Sequence, residues 1–81
     1  MNKRYEDGVV SEEALRLRSA IAGQMKSVRL SCNMTQQKLA DLSGTKKSNI
    51  SRMESGSYNP SLDFLVKVAG CMGKTVEIKI D

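Results

Sequence analysis

The sequence contains no histidine among its 81 residues, so it lacks the side chain that proteins most often use as a general base and as a metal ligand. Its two cysteines cannot complete a four-ligand zinc site, and no apolar run approaches the roughly 18 residues of a membrane span. The N-terminus also lacks the apolar segment of a signal peptide. We therefore expect a cytoplasmic protein with reduced cysteines, without enzyme activity, cofactor, metal, small-molecule substrate or membrane partner.

Positive charge is concentrated in the middle of the chain. The formal net charge is +4, from 13 basic and 9 acidic residues. Residues 14–53 hold eight basic residues against a single acid, Asp41, whereas the segments on either side are slightly acidic. A concentrated basic region is typical of a protein that binds a polyanion, although a solvated helical face would carry the same charge.

Helical spacing of apolar residues begins after a polar segment. Residues 1–10 show no periodicity and are interpreted as a flexible N-terminal arm. Ser11, followed by two glutamates, predicts the start of a first helix that runs from about residue 12 to residue 32. Its expected buried stripe is Leu17, Ile21, Met25, Val28 and Cys32.

Three shorter helices follow, and a glycine ends each one. The second is predicted over residues 36–43 with Thr35 as its cap, the third over 46–55, and the fourth over 62–72 with Ser61 as its cap. The expected buried stripe of the fourth helix is Leu62, Leu65, Val66 and Ala69. The sequence therefore predicts an all-α fold, a compact bundle of four to five helices.

The last residues change period. Val76, Ile78 and Ile80 alternate with charged residues, which predicts a half-buried strand over residues 75–80. A lone strand has unpaired backbone groups, so we expect it to pair with the same strand of a second copy across a two-fold axis. Residues 74–81 would then serve for dimerisation, and a disordered tail is the alternative.

The second and third helices, with the glycine turn between them, have the spacing of a helix-turn-helix. Counted from Gln36, Ala40 is the fifth residue and Gly44 the ninth. Ala40 is small enough for the next helix to cross closely, and Gly44 can adopt a positive φ in the turn. The apolar residues that would bury the inner faces of both helices are Leu39, Ile50 and Met53.

The third helix would present a face of hydrogen-bond donors. At about 100° per residue, the residues turned away from the side that Ile50 and Met53 bury are Lys47, Ser48, Ser51 and Arg52, and none of them is acidic. Lysine and arginine pair with guanine edges, serine bonds to bases or phosphates, and the major groove of B-DNA is wide enough to admit a helix. The pattern predicts a recognition helix in the major groove. An ordinary exposed face on a small bundle is the alternative.

Four separated segments add a more specific pattern: MTQQKLA at residues 34–40, Gly44, NISRMESG at 49–56 and NPSL at 59–62. Their order and spacing, over roughly residues 21–73, resemble the XRE family, the helix-turn-helix type of the Cro and CI phage repressors. The resemblance implies a repressor-like bundle with a DNA-binding domain at residues 11–73. It also implies a homodimeric, sequence-specific repressor of transcription that binds a palindromic operator in double-stranded DNA.

The resemblance also implies roles for matched residues. Gln36 would bond a DNA phosphate and brace the recognition helix, and the loop after Gly56 would offer backbone N–H groups to a second phosphate. Arg29 and Glu54 match an ion pair that joins the first helix to the end of the recognition helix. Lys46 stands where the family usually has a serine or threonine cap, and we expect it to contact a phosphate. The expected DNA-binding residues are Gln36, Lys46, Lys47, Ser48, Ser51, Arg52, Ser57, Tyr58 and Asn59.

A domain of this size followed by a strand also resembles antitoxins of the HipB and HigA types. The alternative function is therefore an antitoxin whose main role is to bind and neutralise a toxin protein, with autoregulatory DNA binding. Residues 12–20 of the first helix are candidates for a surface that faces the toxin. The two functions differ in whether the purified protein alone binds its own upstream DNA.

Overall fold

Four helices follow one another along the chain in a computed structural model that describes residues 10–81. They are α1 (Glu12–Ser31), α2 (Gln36–Ser43), α3 (Lys47–Ser55) and α4 (Leu62–Cys71). The ends of α2 are those predicted, whereas α1 and α4 end one residue earlier and α3 begins one residue later. Apart from Val10, the predicted arm lies outside the described residues. None of the helices in the described part is long and apolar enough to cross a lipid bilayer.

Hydroxyl side chains begin three of the four helices. Ser11, Thr35 and Ser61 each accept a hydrogen bond from the backbone N–H three residues further on, at 3.0–3.1 Å. Such a cap satisfies one of the free amides of the first turn and contributes about 1 kcal/mol to stability. Because these bonds are local, the starts of α1, α2 and α4 could be predicted from the sequence.

Left-handed residues allow the chain to turn sharply between α2 and α3 and after α3. Gly44 has φ 65° and Gly56 has φ 86°, in the left-handed region of backbone angles that residues with a Cβ rarely adopt. Gly56 also needs space, because a Cβ placed on it would lie only 3.2 Å from Ser19 Oγ in α1. The loop after α3 is therefore held close to the N-terminal half of α1.

The core lies where α1 and α4 close over the helix-turn-helix pair. Leu39, Ile50 and Val68 are completely buried and Met53 is 2% exposed. Ala40 is also fully buried at the contact between α2 and the rest of the core, which agrees with the expectation that this residue must be small. The inner faces predicted for α2 and α3 are confirmed.

The stripes predicted for α1 and α4 are partly wrong. In α1 the buried residues are Ala22, Met25 and Arg29, whereas Leu17 is 57% exposed. In α4, Val68 takes the core position and Val66 is 53% exposed. Each helix has apolar residues on two adjoining faces, and the prediction merged both faces into one stripe. Only one face of each helix meets the bundle.

The predicted C-terminal strand is also wrong. Residues 74–81 follow α4 without regular secondary structure, and no strand occurs anywhere in residues 10–81. Val76 packs against the core, but Ile78 is 66% exposed and Ile80 90% exposed. Alternating apolar residues do not make a strand when the described chain offers no second strand to accept its backbone hydrogen bonds.

Candidate nucleic-acid interface

The outward face of α3 consists of hydrogen-bond donors. Ile50 and Met53 are turned into the core, so the residues on the opposite side project into solvent. The exposed residues of this donor face are Lys46, Lys47, Ser48, Ser51 and Arg52. With nine residues, α3 is about 13 Å long, a size that the B-DNA major groove admits.

The donor face carries positive charge that no acid neutralises. The acid of α3, Glu54, is turned toward α1, where it bonds to Arg29. No carboxylate in residues 10–81 forms an ion pair with Lys46, Lys47 or Arg52. The face can therefore attract a polyanion and donate hydrogen bonds to it.

The start of α3 lacks a side-chain cap. Lys46 occupies the N-cap position in an extended conformation, and its side chain accepts no hydrogen bond. Asn49 instead donates from Nδ2 to Thr45 Oγ1 at 2.8 Å, a bond that links the turn to the first turn of α3. This geometry makes Lys47 the first helical residue, with Ser48 directly after it. Both residues therefore lie at the N-terminal end of α3, next to the turn.

A buried ion pair holds α3 against α1. Arg29 donates from Nε to Glu54 Oε2 at 2.7 Å and from Nη2 to Glu54 Oε1 at 3.0 Å. The side chains are only 8% and 3% exposed. The remaining terminal nitrogen, Nη1, donates to the Met34 carbonyl oxygen at 2.6 Å, so Arg29 also fixes the connection between α1 and α2. This ion pair therefore sets the position of the recognition helix.

The environment of Glu54 stabilises its ionised form. Burial opposes ionisation, but hydrogen bonds from Arg29 and Gln36 and the positive charges of Arg29 and Lys26 outweigh burial and lower the pKa of Glu54. The hydrogen bond to Glu54 likewise raises the pKa of Arg29, against the effect of burial. Both groups therefore stay charged at neutral pH.

Gln36 lies half-buried at the start of α2, beside this pair. Its Nε2 donates to Glu54 Oε1 at 3.1 Å, so the residue links the first turn of α2 to the last turn of α3. An amide nitrogen carries two hydrogens, and the bond to Glu54 uses one. The second can serve a phosphate, which keeps both expected roles of Gln36 chemically compatible.

The loop between α3 and α4 exposes its three predicted contact residues, Ser57, Tyr58 and Asn59. The backbone N–H of Ser57 donates to Ser55 Oγ at 3.4 Å, so one of the loop amides is already engaged. Ser55 Oγ in turn donates to the Arg52 carbonyl oxygen at 2.6 Å. These bonds connect the last turn of α3 to the start of the loop, so the exposed loop residues directly follow the donor face.

The residues predicted for dimerisation lie on another side of the molecule. A groove of about 740 Å³ runs between α1, α4 and the C-terminal segment. Val76 and Ile78 line it, together with apolar residues that include Ile21, Val28 and Leu62. Ile80 does not line it. The groove was missed in the sequence, although the surplus apolar residues of α1 and α4 were a signal for it.

Comparison with known proteins agrees with this architecture. The helix-turn-helix family model HTH_3 matches residues 25–78, which is two thirds of the chain. An uncharacterised HTH-type transcriptional regulator of Haemophilus influenzae is 35% identical over 77 residues, covering 91% of this chain and 79% of that protein.

Two solved structures are similar in fold. An HTH_3 family transcriptional regulator from Vibrio cholerae has a TM-score of 0.71 and 28% identity over 75% of this chain, and this chain spans only 34% of that protein. A toxin–antitoxin module from Streptococcus pneumoniae has a TM-score of 0.67 and 31% identity, covering 91% of this chain and 85% of that one. This chain belongs to the XRE-type helix-turn-helix family and is a DNA-binding transcriptional regulator.

Proposed function

We propose that this regulator is a cytoplasmic repressor that binds a palindromic operator as a homodimer, with α3 of each copy in the major groove. The observation that carries the proposal is the donor face of α3. Its basic and hydroxyl side chains are all exposed, while the opposite side of the helix is fixed in the core. Because the acid of α3 is tied to Arg29, nothing on this face repels phosphate.

Base selection and phosphate binding belong to different residues in this proposal. Lys47, Ser48 and Arg52 would read base edges, and each good contact contributes about 1–3 kcal/mol of discrimination. Lys46, Gln36 and the loop amides would bind the DNA backbone. Ser51 lies between the two groups on the donor face. Backbone contacts of this kind give affinity that falls as salt rises and fix the register of the recognition helix.

The experiment begins with duplexes that the wild-type protein selects from a random library. We expect Arg52→Ala to weaken binding to a selected duplex by about 5- to 150-fold, which corresponds to the 1–3 kcal/mol of one base contact. Binding to a scrambled duplex should weaken far less. Lys67→Ala, which removes the same charge from α4, is the matched control. Equal losses of Arg52→Ala on both duplexes would exclude Arg52 as a base reader.

A second copy of the chain is the partner that the apolar groove fits best. Leu62 and Ile78 line the groove and are 52% and 66% exposed, and a contiguous exposed apolar patch is typical of a protein–protein interaction site. Lys74 and Glu77 also line it. Opposite charges on one surface suit a two-fold interface, where Lys74 of each copy can face Glu77 of the other. A dimer would also present two copies of α3 to two half-sites about 34 Å apart.

Binding to a toxin stays a prediction. The likeness to the toxin–antitoxin module supports it, because that similarity extends over 91% of this chain. The test is co-purification of the tagged protein with the product of an adjacent gene. DNA binding by the purified protein alone would show that any such partner is not needed for operator recognition. The lack of enzyme activity is a prediction in the same sense.

A further inference from the structure

The N-terminal turns of α1 extend past the helix-turn-helix unit. With 20 residues, α1 is about 30 Å long. Ser19, less than halfway along it, already lies beside Gly56 at the end of α3, since a Cβ on Gly56 would come within 3.2 Å of Ser19 Oγ. The two turns before Ser19 therefore lie on the N-terminal side of this contact, whereas Arg29, which pairs with Glu54, lies on its C-terminal side.

Arg18 lies on the inward stripe of these turns. Arg18, Ala22 and Arg29 are separated by four and seven residues, so they share one face of α1. Ala22 is 3% and Arg29 6% exposed, and Arg18 is half-buried at the same face. The inward stripe thus ends in a cation, Arg18, one residue before Ser19, which meets Gly56 at the start of the loop after α3.

The two arginines of this stripe have different surroundings. Arg29 is satisfied by Glu54, whereas no carboxylate in residues 10–81 forms an ion pair with Arg18. The residues three and four positions away from Arg18 on α1 are all uncharged. A partly buried guanidinium has five N–H donors that fit an anion in bidentate fashion, and residues 10–81 supply no carboxylate to this one.

We infer that Arg18 binds a DNA backbone phosphate outside the stretch read by α3, next to the loop that follows this helix. The inference rests on the proposed placement of that loop against the DNA backbone. It extends the DNA contact to an element that precedes the helix-turn-helix. The contact carries no base specificity, since it is made to phosphate alone.

Arg16 provides a matched control two residues away. Its side chain is 72% exposed and lies 3.9 Å from Glu12, on the flank of α1 rather than on the inward stripe. Arg16→Ala and Arg18→Ala remove the same side chain and charge from the same helix. Alanine is the best helix former, so both variants should keep α1 intact, which circular dichroism checks.

The experiment measures binding to a 30-base-pair duplex of mixed sequence at 50–200 mM salt. We expect a steep slope of log affinity against log salt for the wild type, reduced in Arg18→Ala by about 0.9 for each bound protomer, about 1.8 for a dimer, and unchanged in Arg16→Ala. Arg18→Lys, which keeps the charge, should restore the slope. Ethylation interference on a selected duplex should then lose one phosphate outside the half-site in Arg18→Ala.

The outcomes separate this inference from the proposed function. A steep wild-type slope that Arg18→Ala leaves unchanged overturns the Arg18 site alone. Equal reductions in Arg16→Ala and Arg18→Ala assign the effect to net charge and also overturn it. A flat wild-type slope would instead contradict phosphate binding by the protein as a whole, including the contacts proposed for Lys46 and the loop.

Discussion

Glu54 is the residue on which three segments of the chain converge. Its carboxylate accepts two hydrogen bonds from Arg29 and one from Gln36, so α1, the start of α2 and the end of α3 meet at one buried charge. The pair holds the end of α3 against α1. Removal of either partner is costly, because it leaves the other charge buried without a counterion.

We expect Glu54→Ala to lower the free energy of unfolding by about 3–5 kcal/mol, since it leaves Arg29 buried without its anion. Urea denaturation followed by circular dichroism measures the loss. Asp41→Ala is the control, because Asp41 is an exposed acid of α2 whose side chain accepts a bond from Gln37. A Glu54→Ala protein as stable as Asp41→Ala would contradict this account of the ion pair.

Acid should remove the contribution of Glu54. Its pKa in the folded protein lies below the ordinary value of 4.5, because hydrogen bonds and positive charge favour the carboxylate. The stabilisation is therefore complete above pH 4.5 and is lost as pH falls through the lowered pKa. Unfolding free energies of wild type and Glu54→Gln, measured from pH 7 down to pH 3, should converge as pH falls. A difference that stays constant would refute the linkage.

At the scale of the element, α3 differs from the other helices in its start. Three helices have a hydroxyl cap, but the N-cap residue of α3 is Lys46, whose side chain cannot accept the hydrogen bond of a cap. A recognition helix with a lysine at this position gives up helix stability and gains a positive charge at the end that would lie nearest the DNA backbone. Stability and binding are then in competition at one residue.

We expect Lys46→Ser to raise the free energy of unfolding by about 0.5–2 kcal/mol, because serine supplies the missing cap. The same change should weaken DNA binding and lower the slope of its salt dependence by about 0.9 for each bound protomer. Lys46→Ala is the control, since it removes the charge without providing a cap. Thermal denaturation and a salt titration measure the two effects. If Lys46→Ser bound DNA as tightly as wild type, the proposed phosphate contact of Lys46 would be wrong.

At the scale of the whole molecule, the distribution of surfaces separates two tasks. The donor face of α3 lies on one side, and the apolar groove between α1, α4 and the C-terminal segment lies on another. A dimer formed through the groove would leave both recognition helices open to DNA. The apolar residues left out of the core are therefore the best place to test assembly.

We expect Ile78→Asp to give a monomer, because it would bury a charge in the proposed interface without a partner. Sedimentation velocity over a range of protein concentrations measures the change. Leu30→Asp is the control, since Leu30 is 54% exposed on α1 but does not line the groove. A wild-type protein that remains monomeric, or an Ile78→Asp variant that dimerises normally, would exclude this interface.

The helices and the donor face follow from local features of the sequence. Caps at Ser11, Thr35 and Ser61, and the left-handed turn at Gly44, act within a few residues, so their effects can be predicted from local sequence. The outward side of α3 followed from the period of the helix once Ile50 was assigned to the core. The resemblance to the XRE family identified the pairing of Arg29 with Glu54, 25 residues apart, which no local rule supplies.

Tertiary structure alone decided which of two apolar faces of α1 and α4 entered the core. Leu17 and Val66 have helical spacing that is as regular as that of Met25 and Val68, but they stay exposed. The strand predicted near Ile78 failed for the same reason. Burial and strand pairing depend on surfaces contributed by residues distant in sequence, and a periodic pattern contains no information about where those surfaces lie.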